Sequence, residues 1–174
     1  MQAFLEAMAL WPRAEAVHHA CLQCLVALCK DNAMMKAHVA VVALPATLAS
    51  LSTHAASPAV VERGFTLLGV LQSGGDHLND GIRRLQAEAG LLATAAAALP
   101  AAAARDEAAL AAVCFAVAMV LRGGEEWRNA AKRRARRSPL LAQLCTAEAV
   151  RSPHHCCALA GTLWTRYRSQ LQRR

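Results

Sequence analysis

One helical face recurs along this chain at nearly constant spacing, and that recurrence limits the fold more than any other feature. Residues 17–29, 60–72 and 110–122 align after shifts of 43 and 50 positions, and a further shift of 42 reaches the segment containing Pro153. Each segment has a small residue in its first column: Cys21, Gly64, Cys114 and Cys156. Three positions on stand Cys24, Leu67, Val117 and Leu159, and beside them Leu25, Leu68, Ala118 and Ala160. Seven positions from the first column come Leu28, Leu71, Leu121 and Leu163. Positions i, i+3, i+4 and i+7 make one stripe of an α-helix, so the same buried helix is expected four times. A unit repeated at this length cannot bury its apolar face alone, and stacking against its neighbours supplies the core.

The intervals between these helices are also patterned. Asn32, Asn79 and Asn129 follow the repeated helix, and about twelve residues later come Leu44-Pro45, Leu91-Leu92 and Leu140-Leu141. Each unit is therefore predicted to hold a short helix, a second helix and a longer third one. Pro45, Pro58 and Pro153 stand where helices are expected to begin, a position that tolerates a missing N–H. The longer central interval is assigned to an insertion around residues 101–105, where the alanine helix is expected to outrun its packed part and enter a loop after Pro100. Composition agrees with helices: 41 of the 174 residues are alanine and aromatics make up 4%, the reverse of what strands favour.

The run Val17-x-x-Ala20-Cys21-x-x-Cys24-Leu25-x-x-Leu28, followed by Asn32, Val39 and Ala43-Leu44-Pro45, resembles the armadillo repeat family, with HEAT repeats as a near neighbour. Residues 1–17 and 46–60 match in the same register, with Leu5 over Leu48 and Met8 over Leu51. The resemblance implies an all-α, right-handed superhelical solenoid of about three and a half to four repeats, a single domain with repeat-like segments near 1–31, 32–78, 79–128 and 129–174. It also implies a concave groove, lined by the third helices, that holds an extended peptide or a partner domain. Importin-type members carry a tryptophan and an asparagine ladder there. The corresponding columns here hold Gln23, Thr66, Ala116 and Ala158, then Ala27, Val70, Val120 and Thr162, with Lys30 and Ser73 continuing the line. A groove so small and apolar is expected to suit a hydrophobic or helical partner. Residues 3–10 read as the second helix of a repeat that lacks its first, which points to a longer array or to an N-terminal end docked on something else.

The reactive residue types admit both a chemical and a packing reading. His18, His19, Cys21, Cys24 and Cys29, echoed by His154, His155, Cys156 and Cys157, contain the ligand types zinc uses. Against that, Cys21, Cys114 and Cys156 share a column with Gly64, which calls for a small buried side chain, and free cysteine packs as a small hydrophobe. Core packing is the preferred reading, with a metal site and redox sensing as the alternatives. No glycine-rich phosphate loop or carboxylate pair accompanies the cysteines and histidines, so no catalytic, cofactor or metal residue is assigned and no enzyme is expected.

Charge is uneven. Residues 1–87 carry six Lys/Arg and six Asp/Glu, while residues 88–174 carry thirteen and six, so the entire net charge of +7 lies in the second half. Its densest part is Lys132, Arg133, Arg134, Arg136 and Arg137, followed by Ser138-Pro139. Three readings apply: the solvated face of a short helix, a nuclear localisation signal, or a phosphate-binding patch for nucleic acid. Ser138 and Ser152, each between Arg and Pro, are candidate phosphorylation points. Glu6 interrupts the first apolar run, which argues against a secretory signal. The uncharged residues 37–61 contain two prolines and two histidines, which argues against a membrane span. Seven cysteines without a small-domain framework favour a reducing compartment, so an intracellular protein, cytoplasmic or nuclear, is expected. Binding of another protein is the leading functional expectation; binding of nucleic acid and service as a structural subunit of a large complex are the alternatives.

Overall fold

In a computed structural model, residues 1–73, 77–123, 125–135, 138, 141–142, 145, 161–162 and 164–165 are described. Every regular element among them is an α-helix: α1 (Gln2–Leu10), α2 (Glu15–Cys29), α3 (Ala33–Val42), α4 (Leu44–Thr53), α5 (Pro58–Leu71), α6 (His77–Glu88), α7 (Leu91–Arg105), α8 (Glu107–Arg122) and α9 (Glu125–Ala135).

The three recurring segments fall on α2, α5 and α8, and α5 lies between the other two. Its Val60, Leu67 and Leu71 join Cys21, Leu22, Leu25 and Cys29 of α2 in one core cluster, together with Val39 and Ala40 of α3 and Ala43 just past its end. One residue along, Val61, Phe65 and Leu68 join Leu110, Val113, Cys114 and Val117 of α8 in a second cluster. A step of one residue turns about 100° around a helix, so adjacent positions serve opposite neighbours. Phe65 is fully buried, and truncating such a ring to alanine costs about 3–5 kcal/mol. The small-residue column has a steric cause at Gly64, where an added Cβ would stand 2.6 Å from Cδ2 of Leu51 in α4.

Side-chain caps fix the starts of α3, α5 and α8. The backbone N–H of Met35 donates to Asn32 Oδ1 at 2.9 Å, that of Val60 to Ser57 Oγ at 3.3 Å, and that of Ala109 to Asp106 Oδ1 at 2.9 Å. Each satisfies a donor that the first turn leaves without an intrahelical partner. Pro45 and Pro58 lie in the first turns of α4 and α5 as expected. Asn79 and Asn129 do not repeat the role of Asn32, because α6 and α9 begin upstream of them. Between α6 and α7 the chain turns through Gly90 at φ 99°, a left-handed conformation that glycine adopts without a Cβ clash.

The alanine run differs from the sequence reading. No loop follows Pro100; α7 continues through it to Arg105, with Ala102 and Ala103 buried. Proline inside a helix removes a hydrogen bond and crowds the preceding turn, at about 3 kcal/mol or more. Pro100 sits on the exposed side, while Ala95, Ala98, Leu99, Ala102 and Ala103 join the core cluster that contains α8. Their burial holds the helix together past the proline. The insertion therefore lengthens a packed helix, to 15 residues against 10 in α4.

Polar contacts also tie the units together. Gln72 Nε2 donates to Leu68 O at 3.1 Å and to Gln86 Oε1 at 2.6 Å, and Gln86 Nε2 donates to Leu68 O at 3.2 Å, all fully buried between α5 and α6. Arg105 Nη1 donates to Ala56 O at 2.7 Å and fastens the end of α7 to the loop before α5.

Candidate functional site

The groove columns of the third helices occupy equivalent positions on helices that pack side by side, but they differ in access. Gln23 and Ala27 on α2, and Lys30 just past its end, are exposed. Thr66 and Val70 on α5, and Ser73 just past its end, are half-buried. Ala116 and Val120 on α8 are fully buried and reach no solvent. Their cluster also contains Ala131 and Leu141, with Trp127, Cys145 and Trp164 packed against it. Thr162 is exposed, and Ala158 lies outside the described residues. The accessible part of the expected groove is thus a shallow strip along α2 and α5.

The lower end of that strip is organised by a cation. Lys36 of α3 reaches across to α5, where its Nζ donates to Ser73 O at 2.9 Å and to Ser73 Oγ at 3.1 Å. Ser73 Oγ in turn donates to Val70 O at 2.7 Å. Lys36 therefore satisfies a carbonyl left open at the end of α5, as cations near helix C-termini do. Glu62 and Arg63 pair at 3.6 Å on the same outer side of α5. Gln23 and Thr66 add an amide and a hydroxyl, while Ala27 and Val70 add methyl groups. Such a surface can pack against apolar side chains and hydrogen-bond a few polar ones.

Among the described residues the histidines and cysteines of α2 differ in burial and partners, and His154, His155, Cys156 and Cys157 lie outside those residues. His18 is buried, with Nε2 at 3.2 Å from the carbonyl of Trp11 and Nδ1 at 2.8 Å from Ser50 Oγ. A carbonyl only accepts, so Nε2 carries the proton and Nδ1 accepts from the serine hydroxyl. His54 Nε2 donates to the next carbonyl, Pro12 O, at 3.1 Å, and the two imidazoles stand 4.5 Å apart. Burial, and then the neighbouring His54, hold His18 below the ordinary histidine pKa. Both rings thereby clasp the α1–α2 loop onto the end of α4. Cys21 and Cys29 are buried and Cys24 is exposed. Burial pushes the Cys29 thiol up to about 11 against an opposing pull from Lys36. It also raises Cys21, with Cys24 adding to the effect. Among the described residues no three His, Cys, Asp or Glu groups gather where a metal ion could be held.

The basic segment begins on α9. Lys132, Arg133 and Arg134 are exposed in its last turn, opposite a first turn that carries Glu125 and Glu126. That distribution complements the helix dipole. Three consecutive cations fan over about 200° of the helix circumference, so they clothe its outer side, while Ala131 is buried beneath. Arg136, Arg137 and Ser152 lie outside the described residues. Ser138 is half-buried and its hydroxyl already accepts from the Leu141 N–H at 3.4 Å. Sequence reasoning missed the buried amide pair Gln72–Gln86, the tether from Lys36 and the His18–Ser50 contact. Their partners are 14, 37 and 32 residues apart, and no local pattern announces them. Among the described residues no single helix is long and apolar enough to cross a membrane. Comparison with protein-family models, curated proteins and solved structures finds no match to this chain.

Proposed function

We propose that the chain is an armadillo-type solenoid that works as a non-enzymatic protein-interaction module and holds a helical or apolar segment of another protein along α2 and α5. The observation that carries this reading is the side-by-side packing of α2, α5 and α8 with Gln23, Ala27, Thr66 and Val70 left accessible on the first two. An apolar strip of small side chains lets a helix approach closely, which is how amphipathic helices seat in grooves. The test uses the full chain as bait in cell lysate, with and without nuclease, beside an Ala27→Glu/Val70→Glu variant. Partners that survive nuclease and are lost from the variant support the reading.

A second reading rests on the exposed trio Lys132, Arg133 and Arg134, which fits a phosphate backbone. Capture that vanishes with nuclease, or when these three become alanine, and that weakens steeply with salt, favours nucleic acid and displaces the first reading.

A further inference from the structure

The two imidazoles that meet beside α2 lie where α1 is joined to the rest of the molecule. α1 has nine residues, fewer than the about 12–15 that let a helix hold itself in water. Packing holds part of it: Met8 is buried, and Phe4 and Leu5 rest on the cluster that contains Cys21, Leu22 and Leu25 of α2. Its side-chain hydrogen bond, from Gln2 Nε2 to Glu6 Oε1 at 3.1 Å, stays within the helix. Among the described residues the polar attachment to the body is made instead by the loop that follows. There His18 Nε2 donates to Trp11 O at 3.2 Å and His54 Nε2 to Pro12 O at 3.1 Å, so two successive carbonyls are gripped by rings 4.5 Å apart. One ring comes from α2 and the other from the residue that closes α4, the two helices on which α1 rests.

We propose that this pair is a proton-operated latch: neutral imidazoles hold the loop and α1 down, and a proton on His18 lifts the loop and frees α1 while the other helices stay folded. His18 is 4% exposed, and an imidazolium at that depth loses its hydration. Ser50 does not forbid the proton, because its hydroxyl, which donates to Nδ1 of the neutral ring, can turn and accept from a protonated one. The cost comes first from burial and then from His54, and both hold the His18 pKa below its ordinary value. The other charged or titratable groups on the surrounding elements are Glu6 of α1, Arg13 of the loop, Glu15 and His19 of α2, and Glu62 and Arg63 of α5. Glu15 accepts from Ser57 Oγ at 2.6 Å and Glu62 pairs with Arg63 at 3.6 Å, and the charge that bears on His18 is that of His54. Lifting the loop gives a charged His18 water and parts the two rings. α1 is then left with apolar contacts alone, too few for a helix of its length. Because the folded pKa lies below the unfolded value near 6.5, the latch is at full strength above that value. Opening becomes easier by up to tenfold per pH unit below it, until the folded value is passed.

The test is amide hydrogen exchange of the full chain from about pH 8 to about pH 5, read by mass spectrometry and corrected for the pH dependence of intrinsic exchange. Peptides from α1 lose protection below about pH 6.5, by up to about tenfold per pH unit, while those from α8 keep theirs. His54→Gln keeps an N–H for the Pro12 carbonyl but carries no charge, and it moves the loss to lower pH. His18→Gln/His54→Gln, with far-ultraviolet circular dichroism matching the wild type, shows no such loss. Protection of α1 that does not change with pH, a loss that α8 shares, a profile that His54→Gln leaves unmoved, or a dependence that persists in the double variant overturns the proposal.

Discussion

Gly64→Ala sets two effects of opposite sign against each other in the middle of α5. Replacing glycine by alanine inside a helix ordinarily gains about 1 kcal/mol. Here the new methyl carbon would stand 2.6 Å from Cδ2 and 2.9 Å from Cγ of Leu51, itself 1% exposed. Carbon atoms sit comfortably at about 3.5–4.0 Å, so Leu51 must retreat by most of an ångström within a packed core. Overpacking of that kind costs about 1–3 kcal/mol. With about 2 kcal/mol for the clash, Gly64→Ala is expected to destabilise the protein by about 1 kcal/mol. Leu51→Ala, costly on its own at about 2–5 kcal/mol, removes the obstructing atoms. In that background Gly64→Ala should stabilise by about 1 kcal/mol, a coupling of about 2 kcal/mol between the two sites. Urea unfolding of the four proteins, followed by circular dichroism and by tryptophan fluorescence so that coincident transitions license the two-state treatment, measures the cycle. The same effect of Gly64→Ala in both backgrounds would refute the steric account of the small-residue column.

The clasp of His18 and His54 on the α1–α2 loop predicts a pH dependence. The His18 pKa is lowered in the folded chain, so its contribution is complete above the unfolded value near 6.5 and is lost as pH falls through the folded value; exposed Trp11 should report the loosening as an emission change below about pH 6.5, muted in His54→Gln. Among the described cysteines, Cys24 should react with a maleimide at pH 8 well before Cys21 and Cys29, whose thiols burial pushes upward, and peptide mapping by mass spectrometry checks the order. Asp106→Ala removes the acceptor for the Ala109 N–H and should cost about 1 kcal/mol, as should Asn32→Ala at the start of α3; an unchanged urea midpoint for both would contradict the capping role.

What the sequence announced was local and periodic. Leu25, Leu68 and Leu121 were legible as core because a 3.6-residue stripe repeats around them, and Pro45 and Pro58 marked helix starts by chemistry that needs no neighbours. Burial itself depends on neighbours. Leu28 and Leu71 occupy the same column, but Leu71 has α2 and α3 against it while Leu28 has an open side. Ala116 and Val120 have the columns of a groove and are covered by the cluster that holds Ala131 and Leu141. Alanine hides its role for a different reason: one methyl group fits buried and exposed sites alike, so the run around Pro100 carried no sign of which side would be packed. The strip along α2 and α5 was legible in its residues; its shallowness, and the cation from α3 that anchors its end, were set by contacts far apart in the chain.

Alanine contributes a large share of the core that α7 and α8 join: Ala95, Ala98, Ala102 and Ala103 of α7 share a cluster with Ala109, Ala112 and Ala116 of α8. Unfolding such a core hydrates little hydrocarbon for each peptide group it uncovers. Apolar hydration raises the heat capacity and amide hydration lowers it. The heat-capacity increment per residue should therefore fall below the usual ~12–15 cal/mol/K, and the free-energy curve should be broad and shallow. A core of this kind resists cold and warmth about equally, because the curvature of its stability is small whatever its height.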